Sequence, residues 1–485
     1  MPALVHCIAG LVLQPSAGSL PGVEVADSVL DLVGRTPLSR LRRAVPDARC
    51  ELVAKLEMLN PGGSVKDRIA MTMIGAAERE GLLEPGGTII EPTSGNTGVG
   101  LAMVAAQRGY RCIFVMTDKV SSEKVQLLRA YGSEVVVCPV AVAPDDPDSY
   151  YSTAERLMGE TPGAYQPNQY FNQANPLAHE QTTGPELWRQ TGGRITHFVA
   201  GAGTGGTLSG VGRYLKAQNP SVQVIAADPE GSVFSGGSGR PYLVEGIGED
   251  FWPETYHPDV VDRVIPVSDQ ASFDMARLVS HREGLLIGGS GGTAVCAAAE
   301  VARGCNPDDV VVVLLPDSGR GYLSKVFDDD WMASHGFLIC EHPCVKDVLD
   351  AKEDVLPPLV YVNPSDPVSL AVTRMRDNGL SQLPVAKGEM PLAAAEVMGS
   401  VHELRLMASA FSGNLLGQPV ESVMSRPLEQ IGIGEPVALA VAKLERSPAL
   451  LVLDGGRPRA VVSSTDVLGY LSSNADDRLS QGQLL

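Results

Sequence analysis

Aliphatic runs typical of buried strands alternate with helical patterns over the first two thirds of the chain. The predicted strands lie at 111–116, 134–138, 195–200, 222–228 and 310–315. The predicted helices lie at 65–80, 97–108, 122–131, 207–218, 270–283 and 291–303. Continuous β-branched runs bounded by turns are typical of strands buried on both faces. Their alternation with helices indicates right-handed βαβ units, and therefore an α/β fold built on parallel sheets.

The pattern changes near residue 340 into two similar units, at about 343–402 and 418–475. Each unit runs through an apolar strand (LPPLVYV; LEQIGI), a helix and a second strand (LPVA; ALLVLD). Each then ends in a strand that runs into a Ser-x-x-acid start of a helix, Ser400 to Glu403 and Ser463 to Asp466. Because neither half buries enough apolar surface by itself, we predict two halves that share one core.

Composition narrows the class of protein. The chain has 485 residues, which corresponds to about three domains. Its 38 basic and 57 acidic side chains give a net charge of −19, which argues against a partner that is nucleic acid or an anionic membrane. No apolar run reaches the ~18–20 residues that a membrane helix needs. We therefore expect no nucleic-acid or membrane partner.

The number and spacing of the cysteines and the composition of the N-terminal leader indicate the compartment and whether a metal site is expected. Eight cysteines in a chain of this length are not a disulfide framework, so a reduced, cytoplasmic location is expected. Residues 1–30 contain no Lys or Arg, which disfavours a signal peptide and favours a disordered leader. The group Cys340, His342 and Cys344 has no second cluster at matching spacing, so no metal site is expected.

The 52 glycines concentrate in loops that enter helices, and the first of these loops is NPGGSVKDR at 60–68. Ser64 is predicted to cap the helix, with Asp67 placed to complete a capping box. Lys66 then lies in the first turn, where low polarity and the helix dipole lower the pKa of an ammonium group. An imine-forming amine needs such a pKa, although a lysine at this position is more often a solvated surface group.

Three further loops have the composition of anion sites. TSGNTG at 93–98 brings hydroxyls and free N–H groups to one place, which suits a carboxylate, or else forms an ordinary helix cap. GAGTGGT at 201–207 has enough glycine for the backbone to close on a phosphate, but it matches neither the dinucleotide fingerprint nor the P-loop. GGSGGT at 288–293 indicates another tight turn. Each loop taken alone is a weak signal.

In this order the four loops resemble the fold type II pyridoxal-phosphate enzymes, within the cystathionine β-synthase and cysteine synthase family. Further matches are GRTPL at 34–38, EPTSGNTG at 91–98, SSEKVQLLRAYG at 121–132, NPLAHEQTTGPE at 175–186, EGIGEDF at 245–251 and LLPDSGRGY at 314–322. The resemblance implies a catalytic core of two parallel-sheet α/β subdomains over 31–338. The paired C-terminal units resemble the tandem CBS domains (a Bateman module) of the same family, over 339–485.

The resemblance also implies roles for residues at matching positions. Lys66 would be the catalytic lysine that binds pyridoxal 5′-phosphate, takes the α-proton and protonates the departing hydroxide. Asn96 would meet the ring hydroxyl of the cofactor and Ser290 its pyridine nitrogen. The phosphate cradle would be Gly203, Thr204, Gly205, Gly206 and Thr207. The implied substrate contacts are Thr93, Ser94, Thr97 and Gln169 at the carboxylate, with Gly248 and Glu249 in a loop over the substrate side.

The reaction implied is the condensation of L-serine with L-homocysteine to L-cystathionine and water, by a homodimer or homotetramer. A same-fold alternative is cysteine synthase, which uses O-acetylserine or O-phosphoserine and sulfide; the tandem module favours the first reaction. A metabolite sensor with an inactive core is an alternative of another class, and the presence of Lys66 disfavours it.

Several positions depart from the family pattern. Haem-binding members use an N-terminal Cys and His, but His6 and Cys7 are adjacent here and cannot reach opposite axial positions of one iron, so no haem is expected. Glu249 stands where family members often have tyrosine, and it either engages the ammonium group of homocysteine or is a solvated loop residue.

The C-terminal module is expected to bind S-adenosylmethionine through Gln382, Ser463 and Asp466, because a carboxylate accepts two vicinal ribose hydroxyls. Glu403 of the first unit is longer than the usual aspartate, which leaves open how many nucleotide sites are occupied. A structural pair that binds nothing is the alternative interpretation.

Overall fold

The computed structural model describes residues 25–480, apart from 94, 118–119, 121, 140–145, 341–342, 353–358 and 410–414. Predictions that concern most of the leader, the pair His6–Cys7, and His342 lie outside the described residues. Within the described residues, no helix is both long and apolar enough to cross a membrane. No group of three or more His, Cys, Asp or Glu residues in the same ranges is arranged to hold a metal ion.

The strands, in chain order, are β1 Leu38–Arg40, β2 Glu51–Leu56, β3 Thr88–Pro92, β4 Arg111–Thr117, β5 Glu134–Cys138, β6 Ala164–Tyr165, β7 His197–Gly201, β8 Gln223–Pro229, β9 Arg263–Val267, β10 Val310–Leu315, β11 Gln382–Ala386, β12 Val397–His402, β13 Glu429–Gly432, β14 Ala449–Asp454 and β15 Arg457–Ser463.

The helices are α1 Lys66–Arg79, α2 Asn96–Arg108, α3 Ser122–Ala130, α4 Tyr150–Glu160, α5 Ala174–Ala178, α6 Gly184–Gln190, α7 Gly206–Gln218, α8 Asp269–Glu283, α9 Gly289–Gly304, α10 Asp329–Ser334, α11 Val345–Asp350, α12 Val368–Asn378, α13 Glu403–Ser409, α14 Val437–Leu444 and α15 Ser464–Ser480.

Two sheets form the larger part of the described chain and confirm the predicted α/β class. The larger sheet has the order β1-β2-β10-β7-β8-β9 and is parallel except for β1. The smaller sheet has the order β5-β4-β3-β6 and is parallel throughout. All six residues of β10 are buried, as expected for a strand covered by helices on both faces.

The glycine-rich loops lie at the carboxyl ends of these parallel strands. α2 begins four residues after β3 ends, and α7 begins five residues after β7 ends. α1 follows β2 through a short 3₁₀ turn and the NPGG loop. In open α/β sheets this edge is where ligands bind, because strand ends and helix N-termini converge there.

A buried ion network holds the first turn of α1 in place. The Arg68 guanidinium donates to Glu57 at 2.7 and 2.8 Å and to Glu186 at 2.9 Å through two nitrogens. The Lys55 ammonium also donates to Glu186, at 2.7 Å, and is fully buried. Two buried carboxylates therefore face two buried cations, which offsets the cost of removing all four from water.

The predicted capping box at this helix start is half wrong. The Ser64 hydroxyl does accept a hydrogen bond from the backbone N–H of Lys66, at 3.2 Å. The Asp67 carboxylate, however, accepts from the N–H of Gly62 at 2.6 Å rather than from Ser64. Gly63 adopts a positive φ of 86°, so the chain folds back over the helix start and brings Gly62 within reach.

The C-terminal units form one small sheet each, β11-β12 and β13-β14-β15. One cluster of buried side chains joins both units, as predicted from the repeat: Leu359, Ala386, Leu392, Val397, Leu428, Ala449, Leu451 and Leu453. The strand predicted at 356–362 lies partly outside the described residues. Of its described part, Val362 makes a single parallel bridge to Val385.

The module contacts the core at two places, the segment 230–249 that follows β8 and the end of α10. Arg240 of this segment donates to both carboxylate oxygens of Glu396, at 2.7 and 3.2 Å. A weaker pair joins Arg457 to Glu230 at 3.8 Å. At the second place, the N–H of Gly456 in the module donates to the carbonyl of His335 in the core, at 2.7 Å. The segment 230–249 therefore starts at the carboxyl ends of the strands of the larger sheet, where the glycine-rich loops also lie.

We predict that Arg68→Leu lowers the free energy of unfolding by about 3–5 kcal/mol, because it leaves buried carboxylates without their charge partner. The matched control is Arg40→Leu, which breaks the exposed pair with Glu51 and should cost about 0–1 kcal/mol. Urea denaturation followed by circular dichroism measures both values. Equal losses in the two variants would contradict the role given to the network.

Candidate active site

A cavity of about 470 Å³ opens at the carboxyl ends of the strands, between the two sheets of the core. Of the residues predicted for the cofactor and its substrates, those that line this cavity are Lys66, Thr93, Asn96, Thr97, Gln169, Gly203, Thr204, Gly205, Thr207, Gly248, Glu249 and Ser290. Gly206 is absent from the lining but follows Gly205 directly as the first residue of α7. Ser94 lies outside the described residues.

Lys66 is the first residue of α1 and reaches the cavity wall. Desolvation lowers the pKa of its ammonium group, while the negative charges of Glu249 and Asp317 oppose that shift. A lowered pKa increases the fraction of neutral amine, which is the form that reacts with an aldehyde. The position therefore differs from that of a solvated surface lysine.

The start of α7 has the form of an anion site. Gly205 caps the helix with a φ of 77°, and a side chain at Gly206 would lie 2.0 Å from the Asn175 amide oxygen. A side chain at Gly203 would lie 2.9 Å from the carbonyl oxygen of Gly246. The close approach of backbone, together with the first N–H groups of a 13-residue helix, which have no partner within the helix itself, fits the phosphate of pyridoxal phosphate.

Two side chains that support this cradle were not predicted. Asn175 donates to the Thr204 hydroxyl at 3.0 Å and to the Gln169 carbonyl at 2.8 Å. The ring of His179 lies 3.2 Å from the Thr207 hydroxyl, and burial lowers its pKa to about 3, so the ring is neutral. Both residues belong to the NPLAHEQTTGPE motif, which carried the only sequence signal for them.

The ring-binding candidates come from opposite sides of the cavity. Asn96 is the first residue of α2, beside the smaller sheet, and its amide nitrogen donates to Asp317 at 2.8 Å. Ser290 is the second residue of α9, on the larger sheet, and is 3% exposed. An amide and a hydroxyl placed this way fit a ring hydroxyl and a neutral pyridine nitrogen.

The candidate carboxylate site is a set of buried hydroxyls and amides. Thr97 donates to the Gln169 amide oxygen at 2.7 Å, and Thr93 is buried beside them. The backbone N–H groups of Asn168 and Gln169 both donate to the Glu91 carboxylate, at 3.0 and 3.2 Å. Burial raises the pKa of Glu91 to about 7 despite these bonds. Glu91 therefore positions Gln169. The sequence signal that could have indicated this role is an acid within the apolar run TIIEP.

The loop that is predicted to lie over the substrate is tightly constrained. Gly248 has a φ of 77°, donates to the Ala202 carbonyl at 2.6 Å, and leaves no room for a side chain beside Pro229. Glu249 donates through its N–H to the Ser232 hydroxyl at 3.1 Å. Burial raises the pKa of the Glu249 carboxyl to about 7, and a hydrogen bond with Tyr170 partly opposes this shift.

Charged residues that were not predicted close one side of the cavity. Glu245 accepts from Lys325 at 2.6 Å and is also paired with Lys124 of α3. The Lys124 ammonium lies 5.1 Å from the centre of the Tyr322 ring. Lys124, Asp317 and Tyr322 all fall in motifs that carried the family resemblance, but nothing in their spacing indicated a shared partner.

The structure brings the three predicted regulatory residues to one junction between the units. Gln382 donates to the Pro448 carbonyl at 3.5 Å, and the next residue, Ala449, pairs with Ser463 across the sheet. The Ser463 N–H and hydroxyl both donate to the Asp466 carboxylate at 2.7 Å. The other Asp466 oxygen is 2.6 Å from the Lys352 ammonium.

The first unit lacks this arrangement. Ser400 donates through its N–H to the Ser425 carbonyl, at 3.1 Å, and through its hydroxyl to the Arg426 carbonyl, at 2.6 Å. Glu403 is exposed at the start of α13. The two units therefore differ at the acid that ends each repeat.

Comparison with known proteins gives the class. A model of the pyridoxal-phosphate dependent enzymes matches residues 29–317, and a CBS domain model matches 345–393. Cystathionine beta-synthase from Apis mellifera is 46% identical over 66% of this chain and 65% of its own length. The cystathionine beta-synthase from Oryctolagus cuniculus is 38% identical over 94% of this chain and 86% of its own length.

A solved structure described as an O-acetylserine dependent cystathionine beta-synthase from Helicobacter pylori is 37% identical, with a TM-score of 0.59. It covers 62% of this chain and 99% of that chain. The chain belongs to the pyridoxal-phosphate dependent enzymes and, within them, to the cystathionine beta-synthase family. It is an enzyme of the lyase type with pyridoxal phosphate as cofactor, which confirms the fold class and cofactor predicted from the motifs.

Proposed function

We propose that this enzyme condenses L-serine with L-homocysteine to give L-cystathionine and water. The observation that carries the proposal is the single cavity in which Lys66, an anion-binding helix start and a carboxylate-binding loop converge with an acidic substrate loop. Relatives of the same family that extend through the C-terminal module support it, since one matches 94% of the chain.

The side chains divide the chemistry between them. Bound pyridoxal phosphate supplies an electron sink that acidifies the α-carbon of an attached amino acid. Thr93, Thr97 and Gln169 hold the substrate carboxylate and orient the α-proton toward Lys66. The neutral Lys66 amine accepts that proton, and the resulting ammonium donates a proton to the departing hydroxide. The cavity walls exclude bulk water while the thiol adds at the β-carbon.

A second candidate is the cysteine synthase reaction with sulfide and O-acetylserine or O-phosphoserine. The observation in its favour is the similarity to a solved relative that is described as O-acetylserine dependent. Sulfide carries no ammonium or carboxylate group, so it gains nothing from a charged loop over the substrate side. Glu249 therefore favours an amino-acid thiol.

We expect cystathionine to form faster from serine and homocysteine than cysteine forms from O-acetylserine and sulfide. Mass spectrometry of products from each pairing of acceptor and thiol, at matched concentrations, measures this. Lys66→Ala is the control and should give no product. A far higher rate with O-acetylserine and sulfide would reject the first reaction.

We assign the ammonium group of homocysteine to Glu249. Its carboxyl has a pKa of about 7, so it becomes an acceptor for an ammonium ion only as the pH rises through that value. Tyr170 lies within hydrogen-bonding reach and orients the carboxylate.

The KM for homocysteine is therefore expected to fall as the pH rises from about 6 to 8. In Glu249→Gln the KM should be about tenfold higher at pH 8, a loss of about 1.4 kcal/mol, and nearly independent of pH. Glu254→Gln, which changes an exposed acid a few residues further along the chain, is the matched control. An unchanged pH profile in Glu249→Gln would show that this carboxyl does not bind the second substrate.

We further propose that S-adenosylmethionine binds the C-terminal module at Gln382, Ser463 and Asp466. Asp466 already accepts two hydrogen bonds at the start of α15, and its second oxygen is paired with Lys352. Ribose hydroxyls would have to replace Lys352 at that oxygen.

We also propose that the enzyme assembles as a homodimer or homotetramer. Four large apolar side chains that are exposed on the module helices support this: Leu404, Met407, Leu468 and Leu471.

Calorimetry should show S-adenosylmethionine binding to the full-length enzyme, at least about tenfold weaker after Asp466→Ala because a charge-assisted acceptor is lost. Glu403→Ala in the first unit is the matched control and should bind normally. Equal binding by all three proteins would exclude the site.

A further inference from the structure

Asp317 lies at the cavity wall and has no role in the reaction assigned above. It follows β10 of the larger sheet and is 4% exposed. One of its oxygens, Oδ2, accepts from the Asn96 amide at 2.8 Å and from the Tyr322 hydroxyl at 2.7 Å. Because α2 packs with the smaller sheet, the bond to Asn96 crosses between the two subdomains.

The other oxygen of Asp317 is packed against the start of α9. Oδ1 has no hydrogen-bond partner among the described residues and would lie 2.3 Å from a side chain placed on Gly288. Gly288 is the cap of α9, two residues before Ser290. Asp317 is therefore wedged between the helix start that presents Asn96 and the one that presents Ser290.

A buried carboxyl is costly unless its hydrogen bonds repay the desolvation. Burial raises the pKa of Asp317, while Asn96, Tyr322 and the charge of Lys124 hold it down. An asparagine amide offers two N–H donors and one carbonyl acceptor on opposite edges. When one N–H is committed to Asp317, the direction of the second N–H and of the carbonyl is determined.

We propose that Asp317 is a positioning residue that sets the orientation of the Asn96 amide toward the ring hydroxyl of pyridoxal phosphate. It acts through Asn96 and not by contact with the substrate. The inference rests on the proposed contact of Asn96 with the cofactor. It adds that Asp317 sets the orientation in which the Asn96 amide makes this contact. Tyr322 holds Asp317 in turn from the same sheet edge.

The test is a double-mutant cycle of Asn96→Ala and Asp317→Ala with two readouts on the cofactor itself. The first is the dissociation constant of pyridoxal phosphate from the apoenzyme, followed by fluorescence. The second is the pH at which the absorbance spectrum of the bound cofactor titrates. Each single variant is expected to weaken cofactor binding about tenfold and to shift the titration in the same direction.

The double variant should then be no worse than Asn96→Ala, because Asp317 acts through that amide. Asp317→Asn, which keeps an acceptor oxygen in place, should recover most of the parental values. Losses that add in full in the double variant, or no recovery in Asp317→Asn, would overturn the proposal. If Asp317→Ala does not fold, Asp317→Ser is used, because its hydroxyl is too short to reach Asn96.

The role of Asn96 and the role of Asp317 can be rejected separately. If Asn96→Ala itself leaves both readouts unchanged, the role assigned to Asn96 fails, and the proposal fails with it. If Asn96→Ala changes both readouts but Asp317→Ala changes neither, only the proposal fails. Neither readout depends on which amino acid or thiol the enzyme uses.

Discussion

The requirement that buried charges be paired determines the position of Lys66, the proposed catalytic lysine. Arg68 lies two residues after Lys66, and its guanidinium is held by Glu57 and Glu186, with Lys55 completing the balance. Removing any one of these charges would leave another uncompensated in a low-dielectric interior. The network therefore pins the first turn of α1 to the larger sheet and to α6. Together with the bond from the Val65 N–H to the Pro316 carbonyl, it holds the turn from which Lys66 reaches the cavity.

The cavity depends on contacts that cross between the two sheets. The smaller sheet supplies Asn96 and Lys124, and the larger one supplies Asp317 and Glu245, which accept from them. The starts of α1, α2, α7 and α9 converge at this edge, and their first N–H groups have no partner within the helix, which suits the binding of an anion. The side chains that join the two sheets therefore also line the cavity, whose walls come from both subdomains.

The two units of the C-terminal module have the same predicted strand and helix pattern but differ at the acid that follows the last strand. Both units contribute side chains to a common core, but Asp466 caps its own helix start whereas the corresponding Glu403 is exposed. The ion pair between Arg240 and Glu396 joins the module to the segment that also carries Gly248 and Glu249. The module is therefore attached to a wall of the cavity rather than to a remote surface.

The amino-acid sequence by itself determined the α/β class, five strands and six helices of the core, the shared core of the repeat and the loops that carry Lys66 and Asn96. These follow from hydrophobic periodicity and from local turn chemistry, which act over a few residues. Only the tertiary structure decided the partners: Glu91 at Gln169, His179 at Thr207 and Asp317 at Asn96. These pairs are separated by 28 to 221 residues along the chain, so no local pattern relates them. The capping box at Ser64 was half wrong for a local reason, since the positive φ of Gly63 brings the N–H of Gly62 to the Asp67 carboxylate.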